Sequence, residues 1–152
     1  MLGLCLMVSP CLAFSYDNEA IINPQTLIAD EIVTVEFTMQ FEYSESEILE
    51  HFIASSKLID TDWTVEIYTY MNEPVATKHY TDRSIRVSSF DFTYKDTTTV
   101  KIYLVGKVSE VDMGKQINVF TVYTQKAKRN GNEMAQTYKT KDMYVFTQYE
   151  LE

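Results

Sequence analysis

Strict alternation of apolar and polar side chains over residues 31–41 constrains the fold more than any other feature of the sequence. The apolar side chains all fall on odd positions: Val33, Val35, Phe37, Met39 and Phe41. The even positions between them are polar. Successive side chains of a β-strand point to opposite faces, so this period of two predicts a strand with one buried and one solvated face.

Shorter segments of the same kind recur along the chain. Pro24 cannot donate to a ladder, so residues 21–24 are predicted to form an edge strand or its end. In the next segment Trp63, Val65, Ile67 and Met71 are expected to point inward. A change of phase near Ser88-Ser89 predicts a β-bulge, and Asn130-Gly131 predicts a hairpin turn. The later predicted strands cover residues 63–71, 75–80, 84–94, 100–108, 117–125 and 138–149, the last as one strand or two.

One segment between these strands is predicted to be helical. Ser44 and Glu47 have the spacing of a capping box. In this motif the Ser44 hydroxyl accepts from the main-chain N–H of Glu47, and the Glu47 carboxylate can accept from the main-chain N–H of Ser44. The apolar residues that follow have helical spacing: Ile48, Leu49, Phe52 and Ile53. The sequence therefore predicts one short helix over residues 45–57, crossing one end of a sandwich.

The N-terminal segment is apolar and carries no charge before Asp17. It is too short to span a bilayer as a helix, and small residues near Ser15 suit signal peptidase. We therefore expect residues 1–15 to be a signal peptide and residues 16–152 to be one secreted domain. Because the segment lacks an initial Lys or Arg, a buried first element of a cytoplasmic protein stays open as the alternative.

Cysteine usage and charge exclude several classes of function. Both cysteines, Cys5 and Cys11, lie in the N-terminal segment, so the folded part has no disulfide, no thiolate nucleophile and no Cys-ligated zinc. The formal net charge of −9 repels nucleic acid and anionic membrane surfaces. We expect no nucleic-acid partner and no membrane span in the mature chain.

No constellation of residues predicts catalysis. The only histidines are His51 and His79, and no Ser, Asp or metal-ligand motif accompanies them. Glu47 and His51 would share a helix face, but a stable zinc site needs three or four ligands. Asp60-Thr61-Asp62 is typical of a solvated turn. We expect the protein not to be an enzyme and to use no metal or cofactor.

Two groups of residues are candidates for partner binding. Tyr68 and Tyr70 lie on the predicted solvated face of their strand, where tyrosine offers a large contact area at low entropic cost. The alternative is that the predicted helix covers them. Lys126, Lys128 and Arg129 form a basic hairpin tip in an acidic protein. This tip either contacts an anionic partner or blocks pairing between sheet edges.

Two motifs give the sequence a family resemblance. Asn23-Pro24, Leu27 and Asp30-Glu31 precede the strand Ile32-Val33-Thr34-Val35-Glu36-Phe37-Thr38, and a later strand, Thr99 to Val105, ends at Gly106. Both resemble strands of secreted immunoglobulin-like domains in prokaryotic, including archaeal, cell-surface proteins. The resemblance implies a structural or adhesive role carried by surfaces rather than by a catalytic centre.

The sequence thus predicts a mainly β protein, an immunoglobulin-like antiparallel β-sandwich of about seven to nine strands. We expect it to be secreted or held at the cell surface, with other surface proteins, itself or a polysaccharide as partners. Two alternatives remain open. One is an assembly subunit that exchanges a strand such as residues 20–28. The other is a carbohydrate-binding module using Tyr68, Tyr70 or Trp63.

Overall fold

The computed structural model describes residues 14–88, 96–128, 133–140 and 142–146. Within these ranges the chain is an antiparallel β-sandwich of immunoglobulin-like kind, as predicted. The elements are β1 (Phe14–Asn23), β2 (Leu27–Ile28), β3 (Ile32–Phe41), β4 (Glu47–Ser55), β5 (Ile59–Thr69), β6 (Pro74–Tyr80), β7 (Ser84–Ser88), β8 (Thr97–Lys107), a 3-10 helix (Glu110–Asp112), β9 (Gln116–Asn118), β10 (Thr121–Lys128), β11 (Glu133–Lys139) and β12 (Asp142–Phe146).

The strands form two main sheets and one small sheet. The first has the order β1-β3-β8-β5-β6 and the second the order β11-β10-β4-β7. A three-stranded sheet, β2-β12-β9, contains the short parallel pair β2–β12. Within the described residues the two main sheets have nine strands and the small sheet three more, which makes twelve against the seven to nine predicted. No helix in the described part of the chain is long and apolar enough to cross a bilayer.

The predicted strand over residues 31–41 is confirmed as β3. All five of its odd-numbered apolar residues are buried, and Met39 contacts β10 of the other sheet, where the Thr124 hydroxyl lies 3.5 Å from Met39 Sδ. Strand β8 packs beside it with Val100, Ile102 and Leu104 inward, also as predicted. These side chains form one dry layer with those of β5.

The predicted helix over residues 45–57 is wrong, because this segment is β4, an inner strand of the second sheet. The reason is a bulge: Gln125 and Lys126 of β10 pair with His51 and Leu49, which leaves Glu50 as an extra residue. The bulge places Leu49 and Phe52, three residues apart, on the same buried face. An i, i+3 spacing that is typical of helices therefore arises from an interrupted strand.

The capping box does not form either. The Ser46 N–H donates to the Ser44 hydroxyl at 3.1 Å, and the two serine hydroxyls lie 2.8 Å apart. The contact is a local turn that precedes β4. The only helix in the described residues is the 3-10 turn that follows β8.

Other strand boundaries differ from the sequence prediction. Met71 is exposed because β5 ends at Thr69. Residues 117–125 are split between β9 and β10, with Phe120 fully buried at the break. Of residues 138–149, which were expected to hold one strand or two, Asp142–Phe146 form β12, whereas β11 lies mostly before this range and reaches it only at Tyr138 and Lys139. The predicted bulge near Ser88-Ser89, the turn at Asn130-Gly131 and residues 1–13 lie outside the described residues, so those predictions and the signal peptide stay predictions.

Gly106 of β8 is required by a second bulge. Asp60 and Thr61 of β5 together oppose this one glycine, and Asp60 has a φ of 51°. A Cβ at position 106 would lie 2.9 Å from Leu58 Cβ and 3.2 Å from the Ile59 carbonyl oxygen. Close approach of the two main chains is therefore possible only with glycine.

We expect Gly106→Ala to lower the free energy of unfolding by about 1–3 kcal/mol, the cost of overpacking a rigid core site. Urea unfolding followed by tryptophan fluorescence measures this directly, since Trp63 is the only tryptophan and is fully buried in β5. The matched control is Val105→Ala at the neighbouring, exposed position of the same strand. Equal stability of both variants would contradict the packing argument.

Candidate partner-binding surfaces

The outer face of the five-stranded sheet is polar and aromatic. The register places Glu36 of β3 beside Tyr103 of β8, and Lys101 beside Glu66 of β5. Tyr68 follows on the same face of β5, beside Thr99. Because these positions alternate with the buried ones, the residues of three adjacent strands form one continuous outer surface.

Tyr68 is fixed on this surface by its neighbours. Its hydroxyl donates to Glu66 Oε1 at 3.0 Å, and Lys101 Nζ lies 5.2 Å from its ring centroid, within cation–π range. The hydrogen bond to Glu66 raises the pKa of Tyr68, with desolvation and the negative charge of Glu66 acting in the same direction. Burial, followed by the charges of Glu66 and Glu36, raises the pKa of Tyr103.

Tyr70 does not share this face with Tyr68. Strand β5 ends at Thr69, and the turn that follows has Asn72 at a φ of 61°. Tyr70 is 48% exposed and stacks on Tyr43, with 4.0 Å between ring centroids. The sequence hypothesis that a helix covers both tyrosines is wrong, since the segment in question is β4 of the opposite sheet. The structure thus places Tyr68 within β5 and Tyr70 in the turn that follows it, stacked on Tyr43.

Of the basic tip predicted at Lys126, Lys128 and Arg129, the structure describes the two lysines. Lys126 is buried, and its Nζ lies 2.9 Å from Glu47 Oε1 of the neighbouring strand β4. Its charge therefore serves a contact between strands rather than a partner. Lys128 is exposed, and Arg129 lies outside the described residues. Only Lys128 of the described residues remains as a candidate for contact with an anionic partner.

The histidine and aspartate side chains considered for catalysis or metal binding are not grouped into one site. His51 Nδ1 lies 3.9 Å from Glu50 Oε1, and His79 Nδ1 lies 3.3 Å from the Thr64 hydroxyl. Asp60 and Asp62 are exposed at the bulge of β5. Among the described residues no three His, Cys, Asp or Glu side chains are grouped so that they could hold a metal ion.

A groove of about 570 Å³ between the sheets has no counterpart in the sequence analysis. It lies between β1, an edge of the first sheet, and the segment from Tyr138 of β11 to Tyr144 of β12. The Ala20 N–H donates to the Tyr138 hydroxyl at 2.9 Å across 118 residues of sequence. No local pattern of residues signals a contact of that separation, so sequence reasoning had no means of finding the groove.

Comparison with solved structures gives this architecture a context. The fold is similar to that of BcpA, the major pilin subunit of Bacillus cereus, with a TM-score of 0.53 and 14% identity over 88% of this chain and 40% of BcpA. The D312A variant of BcpA gives a TM-score of 0.55 with 12% identity over the same shares. The chain therefore spans about two-fifths of the length of these pilin structures.

A looser similarity, with a TM-score of 0.45 and 11% identity, links 88% of this chain to 96% of the collagen-binding subdomain of the Enterococcus faecalis surface protein ACE. These neighbours are bacterial, so the expected resemblance to archaeal surface proteins has no support in them. The sequence matches no protein-family model and no curated protein. At these identities the similarity shows the fold.

We expect Glu66→Gln to lower the pKa of Tyr68 toward the ordinary tyrosine value of about 10, because a neutral acceptor weakens the hydrogen bond from the phenol and the negative charge that opposes its ionisation is removed. A pH titration of ¹³Cζ-tyrosine signals by NMR resolves the individual rings. Glu45→Gln, an exposed change before β4, is the control and should leave the Tyr68 titration unchanged. An unaltered Tyr68 titration in Glu66→Gln would contradict the assigned hydrogen bond.

Proposed function

We propose that the chain is a non-enzymatic module of an exported surface protein, with a structural or adhesive role. The observation that carries the proposal is the match of its sandwich to the BcpA pilin over 88% of the chain. A rigid sandwich with solvated outer faces is a scaffold for contacts made by surfaces and loops. Secretion or attachment to the cell surface is part of the same proposal.

The use of polar side chains supports the non-enzymatic part of the proposal. The polar side chains of the sheets contact one another. Glu66 accepts from Tyr68, Glu47 accepts from Lys126, and His79 contacts Thr64. Catalysis requires groups aimed at a reacting atom in a shared cleft. Here the same groups are engaged in contacts within the sheets.

The surfaces best suited to a partner are the outer face around Tyr68 and the stacked pair Tyr43–Tyr70, in which Tyr70 lies in the turn after β5. Partly exposed tyrosines combine apolar area with a polar hydroxyl, which is favourable at contact surfaces. Lys128 adds an exposed cation at the end of β10. Another surface protein or a polysaccharide is the class of partner that such surfaces fit.

The two alternatives from the sequence are less well supported. Residues 20–28, the suggested donor of an exchanged strand, are paired within their own subunit. Ile21, Ile22 and Asn23 pair with β3, and Leu27 and Ile28 pair with β12. An exchange would first break these ladders.

For carbohydrate binding, Trp63 is unsuitable because it is fully buried and donates from Nε1 to the Asp82 carbonyl at 2.7 Å.

The proposal predicts that the protein is accessible on intact cells. On unbroken source cells, an antibody should label the chain and an added protease should digest it. A cytoplasmic control protein should be neither labelled nor digested. Detection only after lysis would refute the surface role.

Purified chain on beads should also bind the source cells or their wall polysaccharide. Tyr70→Ala should weaken this binding by about fivefold or more if the tyrosine pair lies in the contact, since a truncated contact tyrosine typically costs 1 kcal/mol or more. Val111→Ala, an exposed apolar change in the 3-10 helix, is the matched control. Equal binding by both variants would remove the tyrosine pair from the contact.

A further inference from the structure

The groove beside β1 combines polar side chains on both walls with apolar side chains that belong to the core. Glu19 lies on the β1 wall, and Lys139 lies on the opposite wall, at the end of β11. Ile22 and Met143 also line the groove, and both pack in or against the hydrophobic core. Its volume of about 570 Å³ is within the roughly 300–1,000 Å³ typical of small-molecule sites. A concave surface of this size and mixed polarity suits a small ligand.

Both walls of the groove are held in place by contacts within the chain. The Ala20 N–H donates to the Tyr138 hydroxyl at 2.9 Å, which links β1 to β11. On the opposite wall the Thr140 N–H donates to the Phe120 carbonyl at 3.1 Å, and the Thr140 carbonyl accepts from Asn118 Nδ2 at 2.6 Å. Because these walls are already ordered, a ligand that binds between them pays little conformational entropy.

Tyr144 adds an exposed aromatic ring to the groove. Its neighbours in β12, Met143 and Val145, pack against or within the core, so the alternation of the strand directs Tyr144 outward. Pairing with Gln116 of β9 fixes the main chain of Tyr144, and 63% of the residue is exposed. The ring can therefore stack on a ligand with its apolar face while its hydroxyl stays in contact with water.

The main chain beside the groove is not available to an extended peptide. A peptide that adds a strand to a sheet needs unpaired N–H and C=O groups at the edge. Here the Ala20 N–H is bound to the Tyr138 hydroxyl, and the Ile22 carbonyl accepts from Gln25 Nε2 at 2.8 Å. A register shift of β1 against β3 lies at the same place. A ligand in this groove must therefore be recognised by side chains.

The side chains available for such recognition have balanced charge. Glu19, Thr26 and Lys139 are exposed, and in the part of the chain that the structure describes none of the three side chains forms an ion pair or a hydrogen bond. Together they offer acceptors and donors of hydrogen bonds. One acid and one base cancel, so the groove favours a neutral ligand rich in hydroxyl groups over a polyanion or a polycation.

We propose that this groove binds a neutral oligosaccharide, with one sugar ring stacked on Tyr144. A sugar ring has apolar C–H faces that pack on an aromatic ring, and hydroxyl groups at its edge that both donate and accept hydrogen bonds. Glu19 and Thr26 accept from these hydroxyls, and Lys139 donates to them. The site is distinct from the one that the sequence suggested around Trp63. The inference rests on the proposed surface role for the source of the sugar, a glycan displayed outside the cell.

Titration of the ¹⁵N-labelled full chain, followed by NMR, tests the site. The probes are neutral trisaccharides of glucose, galactose, mannose and N-acetylglucosamine. At least one probe should shift the amide signals of residues 19–23, 138–140 and 143–144, with a dissociation constant on the order of 1 mM or tighter. The absence of such shifts with every probe, or shifts confined to the surface around Tyr68, would overturn the proposal. Tighter binding of the blocked peptide Thr-Val-Thr-Val-Thr-Val at the same residues would also overturn it.

Tyr144→Ala should weaken the tightest of these complexes by about fivefold or more, because it removes the ring on which the sugar stacks. Tyr144→Phe keeps the ring and should bind like the wild type. Tyr70→Ala, the same truncation of an exposed tyrosine that does not line the groove, is the matched control and should leave sugar binding unchanged. Equal binding by Tyr144→Ala and Tyr70→Ala would contradict the stacking.

An acidic probe tests the choice of a neutral ligand. Trigalacturonate should bind more weakly than galactotriose, because Glu19 and the net charge of −9 oppose it. Tighter binding of trigalacturonate that is lost at about 500 mM sodium chloride, where charges are strongly screened, would show that the groove selects an anion instead.

The titrations and the cell assays fail independently. A chain that is accessible on intact cells but binds none of the sugars overturns the groove site alone. A chain that binds a sugar at the groove but is hidden in intact cells overturns the surface role alone.

Discussion

Each strand must turn one face to the dry layer between the two main sheets, and the rest of the structure depends on how the chain meets this constraint. In β3 uninterrupted alternation is enough, and in β8 alternation holds from Val100 to Gly106. In β4 and β5 a bulge resets the parity, at Glu50 and at Asp60-Thr61. The second bulge is accommodated by Gly106, which lets the main chain of residues 58–59 approach β8 closely.

The same constraint separates what the sequence predicts from what it does not. Strand β3 was predictable because its alternation is intact, and the fold class followed from several such segments. Strand β4 was not, because a bulge turns its apolar spacing into one that local patterns cannot distinguish from a helix. The error then affected the site: the helix predicted at residues 45–57 was expected to cover Tyr68, whereas this segment is β4 of the other sheet.

Candidate residues were harder to predict than strands, since their exposure depends on contacts that are distant in sequence. Lys126 looks basic and accessible, but its partner Glu47 lies 79 residues away. Tyr70 belongs with Tyr43, on another loop, rather than with Tyr68. The Ala20–Tyr138 hydrogen bond beside the groove spans 118 residues. Composition and spacing identify residue types suited to a contact, and only the register of the sheets decides which of them face solvent.

A sandwich can meet a partner through its faces or through its edges, and the two modes have different consequences for assembly. Head-to-tail pairing through two different edges generates open fibres, whereas pairing of one edge with itself closes after two copies. Among the described residues, β1 has a register shift, β6 begins at a proline and β7 has five residues, features that each disfavour pairing of an edge with another chain.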